Sequence, residues 1–373
     1  MKKILLSAFL FCFTINAFAQ DYKFKTVVDL EATPVISQGR TGTCWSFSAS
    51  SFLESEIIRL TGKQINISEM FNVRNTYPKK AWNYVMRQGK TQFSQGGLAH
   101  DVMNAIKSNG LVPNSAYSGL QALQKNHNHA EMVAVLKAML DTYIKNPAKK
   151  LSLNWKPAIE SVLDIYLGKR PESFSYEGKT YTPESFLEMT KINPDDYVTL
   201  TSFTHQPYYE SFILNIPDNF SNGSFYNVTL DELVSVTKNA LKTGYSVELD
   251  CDVSEATFSA KYAVATIPEE AVKDKKEFSA EIRKEKSITA TYRQQEFENY
   301  TTTDDHLMHI TGLTEDQNGN TYFRVKNSWG SNTERVPNDG HVNMSEAFFR
   351  LKTISVMIHK DALPKALRQK LGL

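Results

Sequence analysis

The sequence predicts an α+β protein in which a helical N-terminal lobe precedes a C-terminal lobe rich in strands. Apolar side chains recur at the helical spacing from Trp45 to Leu60, whereas residues 246–253, 304–313 and 321–330 alternate between apolar and polar side chains as strands do. With 373 residues the chain is long for one domain, so two lobes, or one domain with an insertion, are expected.

The first residues have the pattern of an export signal. Two lysines precede an apolar run from Ile4 to Phe13, and the run ends near small residues, Ala17-Phe18-Ala19, that suit a cleavage site. Residues 1–19 are therefore predicted to be a signal peptide, and the mature protein is expected to be periplasmic or secreted. The apolar run is too short for a transmembrane helix, so no membrane anchor is expected.

Composition argues against several function classes. Lys and Arg number 42 and Asp and Glu number 41, so no charge excess favours binding to nucleic acid. No HExxH, paired CxxC or glycine-rich phosphate loop occurs, so neither a metal ion nor a cofactor is predicted. The two cysteines beyond the signal do not make a disulfide scaffold. One of them, Cys251, alternates with Val247 and Leu249 and is predicted to lie in the core.

Pattern changes along the chain divide the rest into three segments. Residues 20–119 are predicted to be an N-terminal segment and a helical lobe. Residues 120–225 are predicted to be a largely helical insertion, because an apolar stripe at helical spacing runs from Met132 to Ile144. Residues 226–373 are predicted to form the strand-rich lobe with a short C-terminal tail.

Cys44 occupies a position that favours reactivity. It follows a run of glycines and small polar residues and begins a predicted helix, where free backbone N–H groups and the helix dipole stabilise a thiolate. Gln38 lies six residues earlier and could donate its amide to a developing oxyanion. Most lone cysteines are buried small hydrophobes, so a nucleophilic role also requires a histidine and a group that orients it.

Candidates for that histidine lie on a predicted β-hairpin. A turn at Asn318-Gly319 joins two alternating segments and brings His306 and Asn327 onto adjoining antiparallel strands. An amide beside an imidazole can hold its tautomer and orientation without adding charge. His306 and His309 point to opposite faces of a regular strand, so only one of them can share a cleft with Asn327. The pattern alone does not choose between them.

Three motifs together resemble those of the papain-like cysteine peptidases. Residues 38–47, Asp305-His306 and residues 326–330 are similar to the cysteine, histidine and Asn-Ser-Trp-Gly segments of that family, in the same order. The resemblance implies a papain-like two-lobe fold with a helical left lobe and an antiparallel, β-barrel-like right lobe. It also implies an enzyme whose partners are peptide substrates.

The resemblance implies a catalytic role for each matching residue. Cys44 would be the nucleophile, paired as a thiolate with a His306 imidazolium that acts as base and acid. Asn327 would orient His306, and Gln38 with the Cys44 N–H would form the oxyanion hole. On this basis His306 fits the pattern and His309 does not.

Three further residues are implied to contact the substrate or cover the site. Adjacent glycines most often mark a turn, although they also leave bare backbone that can pair with an extended ligand. The resemblance favours the second role for Gly96 and Gly97, as a strip that binds the substrate beside its second side chain. Trp329 would cover the contact between Asn327 and His306.

The spacing of the motifs resembles one branch of that family. His306 comes 262 residues after Cys44, whereas about 130–150 residues separate the two in ordinary papains. The enlargement is similar to the bleomycin hydrolase and aminopeptidase C branch, which implies an aminopeptidase acting on small peptides. Residues 362–373 resemble the start of that branch's C-terminal region and stop short of the long tail that restricts cleavage to N-termini. An endopeptidase and a catalytically silent peptide-binding protein therefore remain alternatives, and the sequence leaves a homo-oligomer open.

Overall fold

The computed structural model describes residues 22–121, 124–270, 272, 281–331 and 333–373. The predicted signal peptide, residues 1–19, lies outside the described residues. Of the helices in the described part of the chain, none is long and apolar enough to cross a membrane.

The described residues contain both helices and strands, which confirms the predicted α+β class. The helices are α1 (Cys44–Thr61), α2 (Glu69–Met86), α3 (Ala99–Asn109), α4 (Ala130–Ile144), α5 (Trp155–Leu167), α6 (Pro183–Thr190), α7 (Leu230–Lys242), α8 (Ala290–Glu298), α9 (Glu346–Lys352) and α10 (Lys365–Leu371). The strands are β1 (Lys25–Asp29), β2 (Phe174–Tyr176), β3 (Lys179–Tyr181), β4 (Tyr197–Thr201), β5 (Ser211–Ile213), β6 (Ser224–Asn227), β7 (Val247–Cys251), β8 (Phe258–Ser259), β9 (Val264–Ala265), β10 (His306–Glu315), β11 (Thr321–Lys326), β12 (His341–Ser345) and β13 (Thr353–His359).

Most of the described strands form one mixed sheet. Its order is β5-β6-β4-β13-β7-β10-β11-β12-β9-β8, and β1 pairs with β10 beside this path. The strands β10 and β11 are antiparallel neighbours with His309 opposite Lys326, as the predicted hairpin requires. Within the described residues the two end strands each pair with a single neighbour, so the sheet is open rather than a closed barrel.

The helices α1 to α6 share one apolar core. Residues of the predicted insertion, such as Leu136 in α4 and Leu163 in α5, are fully buried in the same cluster as Phe52 and Leu53 of α1. Residues 197–227, which include the end of the predicted insertion, contribute the strands β4, β5 and β6 to the main sheet. These strands are three to five residues long, which is too short for their alternation to stand out in the sequence.

A second apolar core lies around α7 and the central strands. Cys251 is fully buried there with Val247 and Leu249, as predicted. The opposite face of β7 is also buried, although it carries Glu248 and Asp250. This face lies against α1 rather than water, so β7 is a central strand between the two cores. Periodicity alone does not show that burial, because the side chains on that face are charged.

Candidate active site

The N-terminus of α1 places Cys44 next to the strand that carries the predicted histidine. Cys44 is the first residue of the helix, and its side chain is buried. The carbonyl of Thr43 accepts the first helical hydrogen bond from the Ser46 N–H at 2.9 Å. The backbone of Leu307, which follows His306 in β10, is close enough to the Cys44 thiol to lower its pKa. The sulfur therefore lies beside the start of β10.

The environment of Cys44 opposes ionisation of the free thiol. Burial, with smaller contributions from Asp218, Asp304 and Asp250, raises the pKa of Cys44 to about 12. The backbone of Leu307 acts in the opposite direction. The position at a helix N-terminus favours a thiolate, and burial opposes it. Burial thus favours a neutral thiol in the free protein, whereas the resemblance implies a thiolate paired with His306.

Hydrogen bonds at Asn327 determine the tautomer of His306. The Asn327 Oδ1 atom is an acceptor, and it receives the Ser328 backbone N–H at 2.7 Å and His306 Nε2 at 2.8 Å. The proton must consequently be on Nε2, which leaves Nδ1 of the neutral ring as the acceptor. Burial lowers the pKa of His306, against an opposing effect of the Asn327 hydrogen bond and of Asp305. A neutral His306 is thus ready to accept a proton through Nδ1.

Trp329 covers the His306 ring. The two ring centroids are 4.9 Å apart, with an angle of 32° between the planes. Phe258 packs edge-on against Trp329 on the other side, at 6.0 Å. These aromatic side chains restrict the motion of the imidazole and separate it from water.

Gln38 is fixed by contacts to the segment that carries Asn327. Its backbone N–H donates to the Ser328 carbonyl at 2.9 Å, and the Ser328 hydroxyl donates to Gln38 Oε1 at 2.6 Å. The Gln38 Nε2 atom donates one hydrogen bond to the Thr41 carbonyl at 2.6 Å. Since Oε1 is already occupied, Nε2 is the end of the amide whose second N–H is available to an oxyanion.

The glycine pair forms a strip of backbone next to α1. The Trp45 indole N–H donates to the Gln95 carbonyl at 2.9 Å, and the Gly42 N–H donates to Gln95 Oε1 at 2.7 Å. A methyl group on Gly97 would lie 3.1 Å from the Trp45 ring. The strip therefore packs directly against the residue that follows Cys44, and only glycine leaves this approach free.

The alternative histidine, His309, lies in a different environment. It is fully buried between α1 and β10, and its Nδ1 is 2.9 Å from the Ser51 hydroxyl. Burial and the nearby Lys326 hold its pKa well below the ordinary value. The structure thus brings His306, and not His309, into contact with Asn327.

Several functional contacts could not be found from the sequence. Ser328 belongs to a recognised motif, but its hydrogen bonds to Gln38 become evident only in the structure. Asp218, Asp250 and Asp304 affect the thiol from three separate segments of the chain. The distances between these segments along the sequence follow no known motif. Only the tertiary structure shows that the three side chains lie near the same thiol.

The arrangement contains the parts needed for acyl transfer. It has a thiol, an imidazole with a free acceptor nitrogen, a group that orients the ring and donors for an oxyanion. Among the described residues, no group of three or more His, Cys, Asp or Glu side chains could hold a metal ion.

Comparisons with known proteins place these residues in a family context. The model of the Peptidase C1-like family matches residues 83–372, which include His306 and Asn327 and begin after Cys44. Aminopeptidase G of Lactobacillus delbrueckii subsp. lactis is 24% identical over 90% of this chain and 83% of its own length. Aminopeptidase C of Listeria innocua is 22% identical over 91% of this chain and 83% of its own.

A solved structure shares the fold. PepW from Lactobacillus rhamnosis HN001 superposes with a TM-score of 0.73 at 20% identity, over 93% of this chain and 84% of that one. The family predicted from the three motifs, and its aminopeptidase C branch, are confirmed by these matches. The chain belongs to the Peptidase C1-like family.

Proposed function

We propose that the protein is an exported aminopeptidase in which Cys44, His306 and Asn327 form the catalytic triad. The observation that carries the proposal is the hydrogen bond of 2.8 Å from His306 Nε2 to Asn327 Oδ1, on the residue that precedes Leu307, whose backbone lies beside the buried Cys44 thiol. This bond holds the proton on Nε2, so Nδ1 is the ring atom that can accept the thiol proton. The names of the two similar aminopeptidases support the choice of an exopeptidase, and the predicted signal peptide, residues 1–19, supports export.

The proposed reaction starts from the neutral pair. His306 Nδ1 accepts the thiol proton as Cys44 Sγ attacks the peptide carbonyl, and the carbonyl oxygen becomes an oxyanion. Gln38 Nε2 and the Cys44 N–H donate to that oxyanion, and a donor of this kind contributes about 2.7–4 kcal/mol to transition-state stabilisation.

Two further steps complete the cycle. The tetrahedral intermediate collapses as the C–N bond breaks, and His306 gives its proton to the leaving amine. A water molecule then loses a proton to His306 and attacks the thioester on Cys44. The C–S bond then breaks to release the acid product, and His306 returns its proton to the sulfur, which restores the neutral pair.

The first test compares two cysteine variants on a fluorogenic aminoacyl amide. Cys44→Ala is expected to lower kcat/KM by about 10⁴-fold or more, because the triad acts as a unit. Cys251→Ala is the matched control, because it removes the other thiol from the apolar core and should leave kcat/KM within a few-fold. Full activity of Cys44→Ala would refute the proposal.

Two measurements separate the alternatives. An endopeptidase would cleave peptides whose N-terminus is acetylated, whereas an aminopeptidase would not. A silent peptide-binding protein would not form an adduct with an epoxide thiol inhibitor. Mass spectrometry is expected to locate that adduct on Cys44.

A further inference from the structure

Asp218 lies against the strip of backbone that is expected to bind substrate. A methyl group built on Gly96 would be only 1.8 Å from the Asp218 Oδ2 atom. Asp218 is also foremost among the charges that raise the pKa of the Cys44 thiol. One carboxylate is therefore near both the glycine strip and the predicted nucleophile, although it comes from a loop between β5 and β6.

The loop that carries Asp218 is held in a defined position. The Asn219 side chain donates to the carbonyls of Leu214 and Gly223, both at 2.9 Å, and accepts the Gly223 N–H at 2.8 Å. The Ser221 hydroxyl is 2.9 Å from Nε2 of His100 in α3. These contacts fix the loop against the helical lobe, so the carboxylate is a permanent wall of the cleft.

The Asp218 carboxylate has polar neighbours and lacks a close cation. Gln92 Nε2 donates to its Oδ1 atom at 3.0 Å. Burial raises the pKa of Asp218, and the ammonium group of Lys80, which donates to the Gly96 carbonyl, acts in the opposite direction. Among the described residues Asp218 forms no ion pair within 4.0 Å. Its Oδ2 atom lies over Gly96. A positively charged ligand group that approached this atom would neutralise the carboxylate.

Two other buried acids lie near Asp218 at this end of the cleft. Burial raises the pKa of Asp304 and of Asp250, and the negative charge of Asp218 raises both further. Both side chains are buried in the same region as Cys44. The charge that favours a positively charged group here over a neutral one is that of the Asp218 carboxylate itself.

We propose that Asp218 is a specificity-determining residue whose carboxylate binds the α-ammonium group of the substrate. The inference rests on the proposed peptidase function. The strip at Gly96 and Gly97 is where the second residue before the scissile bond would pair, and Asp218 fills the space over Gly96. Only one residue then fits before the scissile bond, and its free ammonium group meets the carboxylate. The enzyme therefore releases single N-terminal residues.

The first experiment measures how strongly a free amine is preferred. Steady-state kcat/KM is compared for an aminoacyl fluorogenic amide and its N-acetylated form, with wild type, Asp218→Asn and Asp361→Asn. Asp361 is the matched control, because its carboxylate pairs with Arg368 in the C-terminal helix at 2.8 Å. The control should keep the wild-type ratio of the two rates.

Asp218→Asn is expected to lower kcat/KM for the free amine by about 10- to 100-fold, mainly through KM, because it removes one charge-assisted hydrogen bond. The same variant should raise the rate on the acetylated substrate, since a neutral amide tolerates a neutral group. A merely structural role of Asp218 would reduce both rates together. Equal losses on both substrates, or an unchanged ratio, would overturn the inference.

A second measurement does not depend on how the variant folds. Wild-type enzyme digests an unblocked peptide of about ten residues, and mass spectrometry follows the products over time. Successive loss of single residues from the N-terminus is expected, and release of dipeptides or internal cleavage would overturn the inference. If wild type cleaves free and acetylated peptides alike, the inference fails while the peptidase function stands. If wild type cleaves neither, the proposed function itself fails.

Discussion

At the scale of single residues, the position of one proton decides how the site works. In the neutral pair this proton is on the Cys44 sulfur, and in the ion pair it is on the His306 imidazole. Burial disfavours both charged forms, because it raises the pKa of Cys44 to about 12 and lowers the pKa of His306. The neutral pair should therefore predominate in the free enzyme, and proton transfer should accompany attack on the substrate.

The rate of thiol alkylation tests this balance. Only the thiolate reacts, so a neutral pair predicts that the rate constant of Cys44 with iodoacetamide rises about tenfold per pH unit from pH 6 to pH 9. An ion pair predicts instead a rate that is high and nearly constant over this range. The measurement uses Cys251→Ala, so that the reaction reports Cys44. A flat profile would show that the ion pair forms without substrate.

At the scale of elements, the segment before α1 determines where the oxyanion donor lies. Gly39 has a φ angle of +67°, and a methyl group there would be 2.6 Å from the His127 carbonyl. The same carbonyl accepts the Arg40 N–H at 2.8 Å. The loop before α4 therefore holds the segment that carries Gln38 in place through His127. The hydrogen bond between Gln38 and Ser328 holds the same segment from the other lobe.

Gly39→Ala is expected to affect catalysis more than stability. The added methyl group must push the segment away from His127, and this shift moves Gln38, so kcat should fall about 10- to 100-fold with KM changed less. Gly62→Ala is the matched control, since Gly62 also has a positive φ, +70°, but no atom of the described residues lies within 4 Å of the added methyl. In both variants an alanine must adopt a left-handed backbone conformation, which costs about 1–2 kcal/mol. The control therefore separates the effect of this backbone strain from the effect of the clash with His127.

Equal kcat values for these two variants would contradict this role of the segment. Thermal unfolding of both proteins provides the comparison of stability. A similar loss of Tm with a much larger loss of kcat in Gly39→Ala is the expected combination.

At the scale of the whole molecule, the sequence predicts those features that local patterns determine. The α1 helix, the β10–β11 hairpin and the contact between His306 and Asn327 follow from periodicity, an Asn-Gly turn and the motifs. The open sheet could not be predicted in this way. The strands β4 to β6 join it because β4 pairs with β13, which lies far away in the sequence. The position of Asp218 does not follow either, since a loop residue carries no periodic signal of what it will contact.

The contact between the two cores also affects the stability of the whole protein. Buried carboxyl groups line this contact, and burial raises the pKa of Glu54, Glu69, Glu248 and Asp304. The native state therefore keeps protons on these groups at pH values where the unfolded chain has released them. In that range the free energy of unfolding falls as the pH rises. Histidines whose pKa is lowered act in the opposite sense, but only below about pH 6.5.

Glu248 isolates this effect in one side chain. It lies on β7, accepts a hydrogen bond from Ser48 of α1 at 3.1 Å, and burial raises its pKa from 4.5 to about 8. Between these values the native state binds the proton and the unfolded state does not, so this group stabilises the fold below about pH 4.5 and loses that contribution as the pH rises through 8. Glu248→Gln stays neutral and keeps an acceptor for Ser48. The variant should match wild type near pH 5 and exceed its unfolding free energy at pH 8.5, on the order of 2–4 kcal/mol.

Urea unfolding at pH 5, 6.5, 7.5 and 8.5 measures the difference between Glu248→Gln and wild type at each pH. Glu188→Gln provides the matched control, because it makes the same change on an exposed position of α6 and should show no growing difference. A difference for Glu248→Gln that is constant from pH 5 to pH 8.5 would contradict the raised pKa. A difference that grows with pH would indicate that the contact between the helical lobe and the sheet is most stable when its buried carboxyl groups are protonated. Because the pKa of His306 lies below its ordinary value of 6.5, the best combination of stability and a neutral His306 is then expected at or below about pH 6.5.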